Sequence, residues 1–261
     1  MYTVCIPSHQ RILGINETAT ILLKELCQAQ VRGETAVQKL ISERLVATGC
    51  LVEEFEYDPA DVKVKGEFAI DQARAKDRRK AIVGTLSGSP QLPSLLVFAH
   101  PDGEMIGDIS QWRHDPFAGS IENGRLFGWG VADDLAGCAA AVAALESIAN
   151  SDKPMGSVIF ASTPSKRHAR GVSALLHNNI TADASLYLHP AESGSGMREI
   201  KAVASGHMEF QIIVKGCPPE TTEPGHTAFS HLAENPIDKA LMIRSALVTL
   251  AEERAKRVRY P

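Results

Sequence analysis

Leu95-Leu96-Val97-Phe98-Ala99-His100-Pro101-Asp102 is five continuously apolar residues followed at once by a histidine and an acid. A strand that reads apolar at every position is buried on both faces, as central strands of parallel sheets are. In such sheets, ligand-binding groups collect beyond the carboxyl ends of the strands. His100 stands at that place. Two residues on, Asp102 is in reach of the second imidazole nitrogen, the contact that fixes the tautomer of a metal-ligating histidine.

The same grammar recurs on either side. Ala81–Leu86 and Val158-Ile159-Phe160 read as further core strands, and Ala184–Leu188 as another, ending in His189. Residues 50–57 read as one more strand. Between them lie helical patterns. Ile21, Leu22, Leu26 and Ala29 recur at helical spacing, then Val37, Leu40, Ile41, Leu45 and Val46, with Gly49 as the stop signal. An alanine-dense helix is expected over about 134–149 and a shorter one over about 169–178. Strands alternating with helices predict an α/β fold with a mostly parallel sheet flanked by helices.

The character changes after residue 200. Met208–Val214 alternates apolar and polar residues, the pattern of a half-exposed strand. A helix then starts at Asn235, a good cap, with Pro236 at its first position and Asp238 at its positive end. These readings divide the chain into an α/β domain over 1–203 and a partial second domain over 204–261. A strand and one helix cannot bury both of their faces alone.

The whole chain has 261 residues, 44% hydrophobic and 22% charged, with formal net charge -4. That composition excludes a disordered chain and carries no basic footprint for nucleic acid. No run approaches the ~18 apolar residues of a membrane span, and the first residues lack a signal-peptide pattern. The five scattered cysteines form no CxxC pair, which favours reduced thiols and a cytoplasmic setting.

A second loop also carries chemistry. Gly128-Trp129-Gly130-Val131-Ala132-Asp133-Asp134 puts two acids at a helix start. One of them, Asp134, suffices to cap the helix, which leaves Asp133 as the ligand candidate. His100, Asp133 and His189 then form a three-ligand set of the kind that holds catalytic zinc and leaves a position for water.

The stretch 95–137, from LLVFAHPDGEM through WRHDPF to GRLFGWGVADDLAG, resembles the zinc metallohydrolase family of aminoacylase, acetylornithine deacetylase and succinyl-diaminopimelate desuccinylase. LKEL…GETAVQKLISERLVATG resembles that family's start, and GHTAF…ENPIDKA the entry to its lid domain. The resemblance implies a catalytic domain with an inserted α/β lid that forms a homodimer, one or two zinc ions, and hydrolysis of an amide bond beside a carboxylate. It makes His100 and His189 metal ligands, Asp133 the metal-bridging carboxylate and Asp102 the catalytic partner of His100. It also sets His226 near the lid histidine that meets substrate in the partner subunit.

Two departures from the family pattern follow. The family's Glu-Glu pair, general base and second-metal ligand, falls on Lys166 and Arg167. Arginine neither deprotonates nor donates a lone pair. A cation ~5 Å from another unit charge interacts by roughly 3 kcal/mol at an effective dielectric of ~20, so this spot opposes a second metal and one zinc is expected. Four substitutes stay open: His168 as a ligand, Glu192 or Glu104 as the base, or Lys166, Arg167 and Arg170 as a clamp on an anionic substrate. The second departure is length, since family members run on and complete the lid. The expected function is zinc-dependent hydrolysis of N-acyl amino acids or small peptides. A non-catalytic relative that binds a small anionic amino-acid derivative is the alternative.

Overall fold

The computed structural model describes residues 9–63, 78–103, 105–164, 169–189, 200, 202, 210–220 and 231–258, with side chains from residue 16 on. The chain divides into two compact units, 1–206 and 207–261.

In the first unit, helix α1 (His9–Ala29) and helix α2 (Glu34–Ala47) are joined by a short 3-10 turn and Gly33. Leu22, Leu26 and Ala29 of α1 and Val37, Ile41 and Leu45 of α2 are buried in one cluster. Their spacing places each set on one helix face. Gly49 follows α2 at φ +86°, the left-handed stop that its position in the sequence predicts.

Strand β1 (Leu51–Tyr57) and strand β2 (Arg79–Leu86) pair antiparallel. Strand β3 (Leu95–Ala99) follows, then a small hairpin of β4 (Ser120–Glu122) and β5 (Arg125–Phe127). Helix α3 (Ala136–Ala149), strand β6 (Val158–Ser162), helix α4 (Arg170–His177) and strand β7 (Ala184–Tyr187) complete the unit. The sheet order is β1-β2-β6-β3-β7. The expected α/β fold stands: β1, β6, β3 and β7 run in one direction, and β2 alone runs against them. Only β3 pairs parallel on both sides, with β6 and β7, while β2 runs antiparallel to β1 and to β6. An apolar run marks burial on both faces and carries no information about direction.

The two faces of the sheet separate by alternation. Ile82 and Phe160 face α1, α2 and α3, in a cluster with Leu135, Cys138 and Leu145. Val83 and Ala161, the next residue along each strand, face the other way, with Leu96 and Leu175 of α4. Both layers are needed to bury the central strands.

In the second unit the described part of the expected strand Met208–Val214 is not a strand: residues 210–216 have no ladder partner. Among the described residues the pairing there is one antiparallel bridge, Cys217 with Glu234. Alternation alone does not make a strand when no neighbour offers hydrogen bonds. Helix α5 (Pro236–Arg257) begins as expected, with Asn235 accepting a hydrogen bond from the Ile237 N–H at 2.9 Å. None of its side chains is buried, and Ile237, Leu241 and Met242 are more than half exposed.

Candidate metal centre

Strand pairing brings two of the expected ligands side by side. Phe98 of β3 is the register partner of Tyr187 of β7. Two residues beyond each, on the same side of the pleat, come His100 and His189. They leave the sheet from neighbouring parallel strands, at the carboxyl ends, where the fold opens. The last β7-side bond of the pair, Leu188 N–H to the Phe98 carbonyl at 3.0 Å, holds the register up to the site.

The third group arrives from another element. Gly130, at φ +65°, turns the chain into the irregular segment Val131–Leu135 ahead of α3. There Asp133 adopts an extended, non-helical backbone, φ -140° and ψ 85°. Its Oδ1 stands 3.0 Å from His100 Nε2 and 3.3 Å from His189 Nε2. Asp134 takes the capping role expected of it, with Oδ1 accepting from the Gly137 N–H at 3.2 Å. Gly137 makes this closeness possible: a Cβ there would lie 2.3 Å from Asp134 Oδ1 and 2.5 Å from the Leu188 carbonyl oxygen. The start of α3 is thus pressed against the end of β7, and the acid reaches both histidines.

The other nitrogen of His100 is also held. Nδ1 lies 2.8 Å from the Asp102 carbonyl oxygen and 3.5 Å from its carboxylate Oδ1. Asp102 therefore partners His100 as expected, but the main-chain carbonyl is the nearer acceptor. A carbonyl and a carboxylate oxygen both accept, so in this arrangement Nδ1–H donates to Asp102 and Nε2–H to Asp133 Oδ1 at 3.0 Å. Nε2 is the nitrogen whose proton a bound ion would displace. Burial opposes a charge on His100, yet the Asp102 side chain and carbonyl and the Asp134 charge outweigh it, and the imidazole pKa lies above its ordinary value. Burial pushes the Asp134 carboxyl up to about 7, against the lowering influence of His100 and of backbone N–H groups.

The donor set suits zinc. It comprises two imidazole nitrogens and one carboxylate oxygen, the ligand types zinc takes. Bonds of about 2.0–2.1 Å in a tetrahedron set neighbouring donors about 3.3–3.4 Å apart, close to the two separations found here. The shell is not preformed: among the described residues, no group of three or more His, Cys, Asp and Glu side chains is arranged to hold a metal as it stands. His100 is 3% exposed, while His189 at 28% and Asp133 at 36% reach solvent.

One residue here escapes the reading of motifs. Tyr187 lies under both histidines, its ring centroid 5.3 Å from that of His189 and 6.4 Å from that of His100. It stacks on Phe98 at 4.9 Å with 3° between the planes. Its only signal in the sequence is an aromatic two positions before a strand-end histidine.

The remaining expected residues divide. Lys166, Arg167 and His226 lie outside the described residues, as do Glu104, His168 and Glu192. Arg170 is not a substrate clamp. It is 1% exposed, and its guanidinium donates to the Pro59 carbonyl and, at 2.7 Å, to the Val62 carbonyl. It pins the loop after β1 to the start of α4.

Residues 96–253 match peptidase family M20/M25/M40. The succinyl-diaminopimelate desuccinylase of Ehrlichia canis is 33% identical over 158 residues, 58% of this chain and 40% of that protein. The desuccinylase of Leptothrix cholodnii is 29% identical over 228 residues, 85% of this chain and 53% of that protein. The chain thus spans about half, or less, of these relatives' length. Among solved structures, an M20 family metallo-carboxypeptidase from Sulfolobus solfataricus aligns at TM-score 0.49 and 17% identity, over 68% of this chain and 37% of that one.

Proposed function

This chain belongs to peptidase family M20/M25/M40, and from that premise we propose that it hydrolyses the amide bond of an N-acyl amino acid or small peptide at a zinc site. The observation that carries the reading is the convergence of His100 and His189 on one oxygen of Asp133. These three residues would hold the ion, which when bound lowers the pKa of water and polarises a carbonyl. The desuccinylase relatives support an N-acyl substrate that bears carboxylates.

The chain's own residues have separate tasks in this scheme. Asp102 holds the His100 ring by its carbonyl, which takes the Nδ1 hydrogen and leaves Nε2 as the nitrogen for the ligand role. Asp134 anchors the turn that aims Asp133. Lys166 and Arg167, at the place of the family's two glutamates, are proposed to meet an anionic substrate group, and one zinc is favoured there over two. Residues 1–203 form the catalytic-type domain in this proposal. Residues 204–261 are proposed as part of a lid that supports a homodimer, with His226 at the sequence position of the lid histidine that serves substrate in the partner subunit. No helix among the described residues is long and apolar enough to cross a membrane. The scattered cysteines support a reducing, cytoplasmic setting.

A second reading rests on Lys166 and Arg167 themselves. With cations in place of the general base, the same pocket would bind a small anionic amino-acid derivative without turning it over. One experiment separates the two. Zinc content is measured by elemental analysis for the full chain, His100→Ala and Asp133→Ala. Hydrolysis of N-succinyl-diaminopimelate, N-acetylmethionine and glycylleucine is then assayed with zinc. About one zinc per chain, lost in both variants, with turnover of at least one substrate, is the expected result. Zinc binding without turnover would favour the binder. No zinc in the unmutated chain would overturn the metal site.

A further inference from the structure

Tyr187 is placed for chemistry that the three expected ligands do not perform. Its ring is fixed from below by the near-parallel stack on Phe98 and lies against His189 and His100. Stacking at 4.9 Å and pairing in the sheet leave the ring little freedom. Among the described residues its hydroxyl has no hydrogen-bond partner, and the residue is 41% exposed, so the ring that stands against the two histidines also reaches solvent. A phenol with an ordinary pKa of ≈ 10 keeps its proton at neutral pH and can donate. A fixed, protonated donor next to a hydrolytic centre matches what a developing oxyanion requires.

We infer that Tyr187 is a catalytic residue of the proposed amide hydrolysis, donating its phenolic hydrogen bond to the carbonyl oxygen as that oxygen becomes negative. The inference rests on the hydrolase reading above. In the step concerned, the water oxygen bonds to the carbonyl carbon and the carbonyl π pair moves onto oxygen. The pair returns as the C–N bond breaks, and the proton lost by water ends on the departing amine. Tyr187 keeps its own proton throughout, so it needs no recharging between turnovers. Its bond to the oxygen strengthens with the charge, which lowers the barrier without tightening ground-state binding.

The test is Tyr187→Phe in the full chain, which keeps the ring and its stack and removes one oxygen. Zinc content, melting temperature, kcat and KM are measured on the three substrates named above, beside the unmutated chain. The expected result is a kcat lower by roughly 10²-fold, with KM within about threefold and zinc content and melting temperature unchanged. Affinity for a phosphonate analogue of N-acetylmethionine, a tetrahedral anion, should fall in step with kcat, while affinity for free acetate does not. An unchanged kcat would overturn the role of Tyr187 and leave the hydrolase reading intact. Loss of zinc or of thermal stability in Tyr187→Phe would overturn it too, by making the hydroxyl structural. If the unmutated chain binds zinc but hydrolyses none of the three, the hydrolase reading fails and this inference fails with it.

Discussion

At residue 134 a carboxyl group is 1% exposed beside the candidate ligands, and pH sets what its burial costs. Its pKa is raised from 3.8 to about 7, chiefly by desolvation. A group raised in the folded state stabilises it fully below the unfolded pKa and loses that contribution as pH climbs through the folded value. The zinc-free chain should therefore lose up to a few kcal/mol of stability between about pH 4 and pH 7, and level off above. Urea titrations in a chelator across that range measure the slope. Asp134→Asn, which can still accept from Gly137, should flatten it, and an unchanged slope would show that another group titrates. Arg170 makes a second prediction at this scale. Arg170→Met leaves the Pro59 and Val62 carbonyls buried without their donor, for a loss of about 3 kcal/mol. Denaturant midpoints should show it with zinc affinity little changed, because the residue serves the loop after β1 and not the site.

Elements explain which parts of this arrangement could be read before the fold was known. β3 and β6 announce themselves by their apolar runs, and β7, at the sheet edge and mostly exposed, by Leu186 and Tyr187. The ends of β3 and β7 place His100 and His189. The cap at Asn235 is equally local, since the side chain bonds an N–H two residues on. The β4–β5 hairpin is not legible, because three-residue strands leave no period to read. The reversal of β2 is not legible, because an apolar run looks alike from either end. Arg170 reads as a surface cation in a basic stretch, and only the distant carbonyls of 59 and 62 turn it inward. Two outcomes belong at this scale. Gly137→Ala drives a methyl against Asp134 and the Leu188 carbonyl. Stability should fall by about 1–3 kcal/mol and zinc affinity by tenfold or more, as seen by calorimetry. Asn235→Ala should weaken the start of α5 by about 1 kcal/mol, visible as reduced helicity by circular dichroism and with no effect on zinc.

For the whole molecule, the donors of one small cluster come from three places far apart in the chain: 100, 133 and 189. A ligand that binds only the folded state stabilises it by mass action. Zinc at about 100 times its dissociation constant should add ~2.7 kcal/mol, a rise in melting temperature of roughly 5–10 °C. That rise should vanish in His100→Ala and in Asp133→Ala, and differential scanning calorimetry with and without zinc decides it. The pairing of Phe98 with Tyr187 has one more effect. Side chains alternate between faces with period two, so a slip of one residue between β3 and β7 would send His100 and His189 to opposite sides of the sheet. The two histidines act as a vernier on the central strands. Any ion they share is gripped only when the scale reads true, and its capture proofreads the assembly of the sheet.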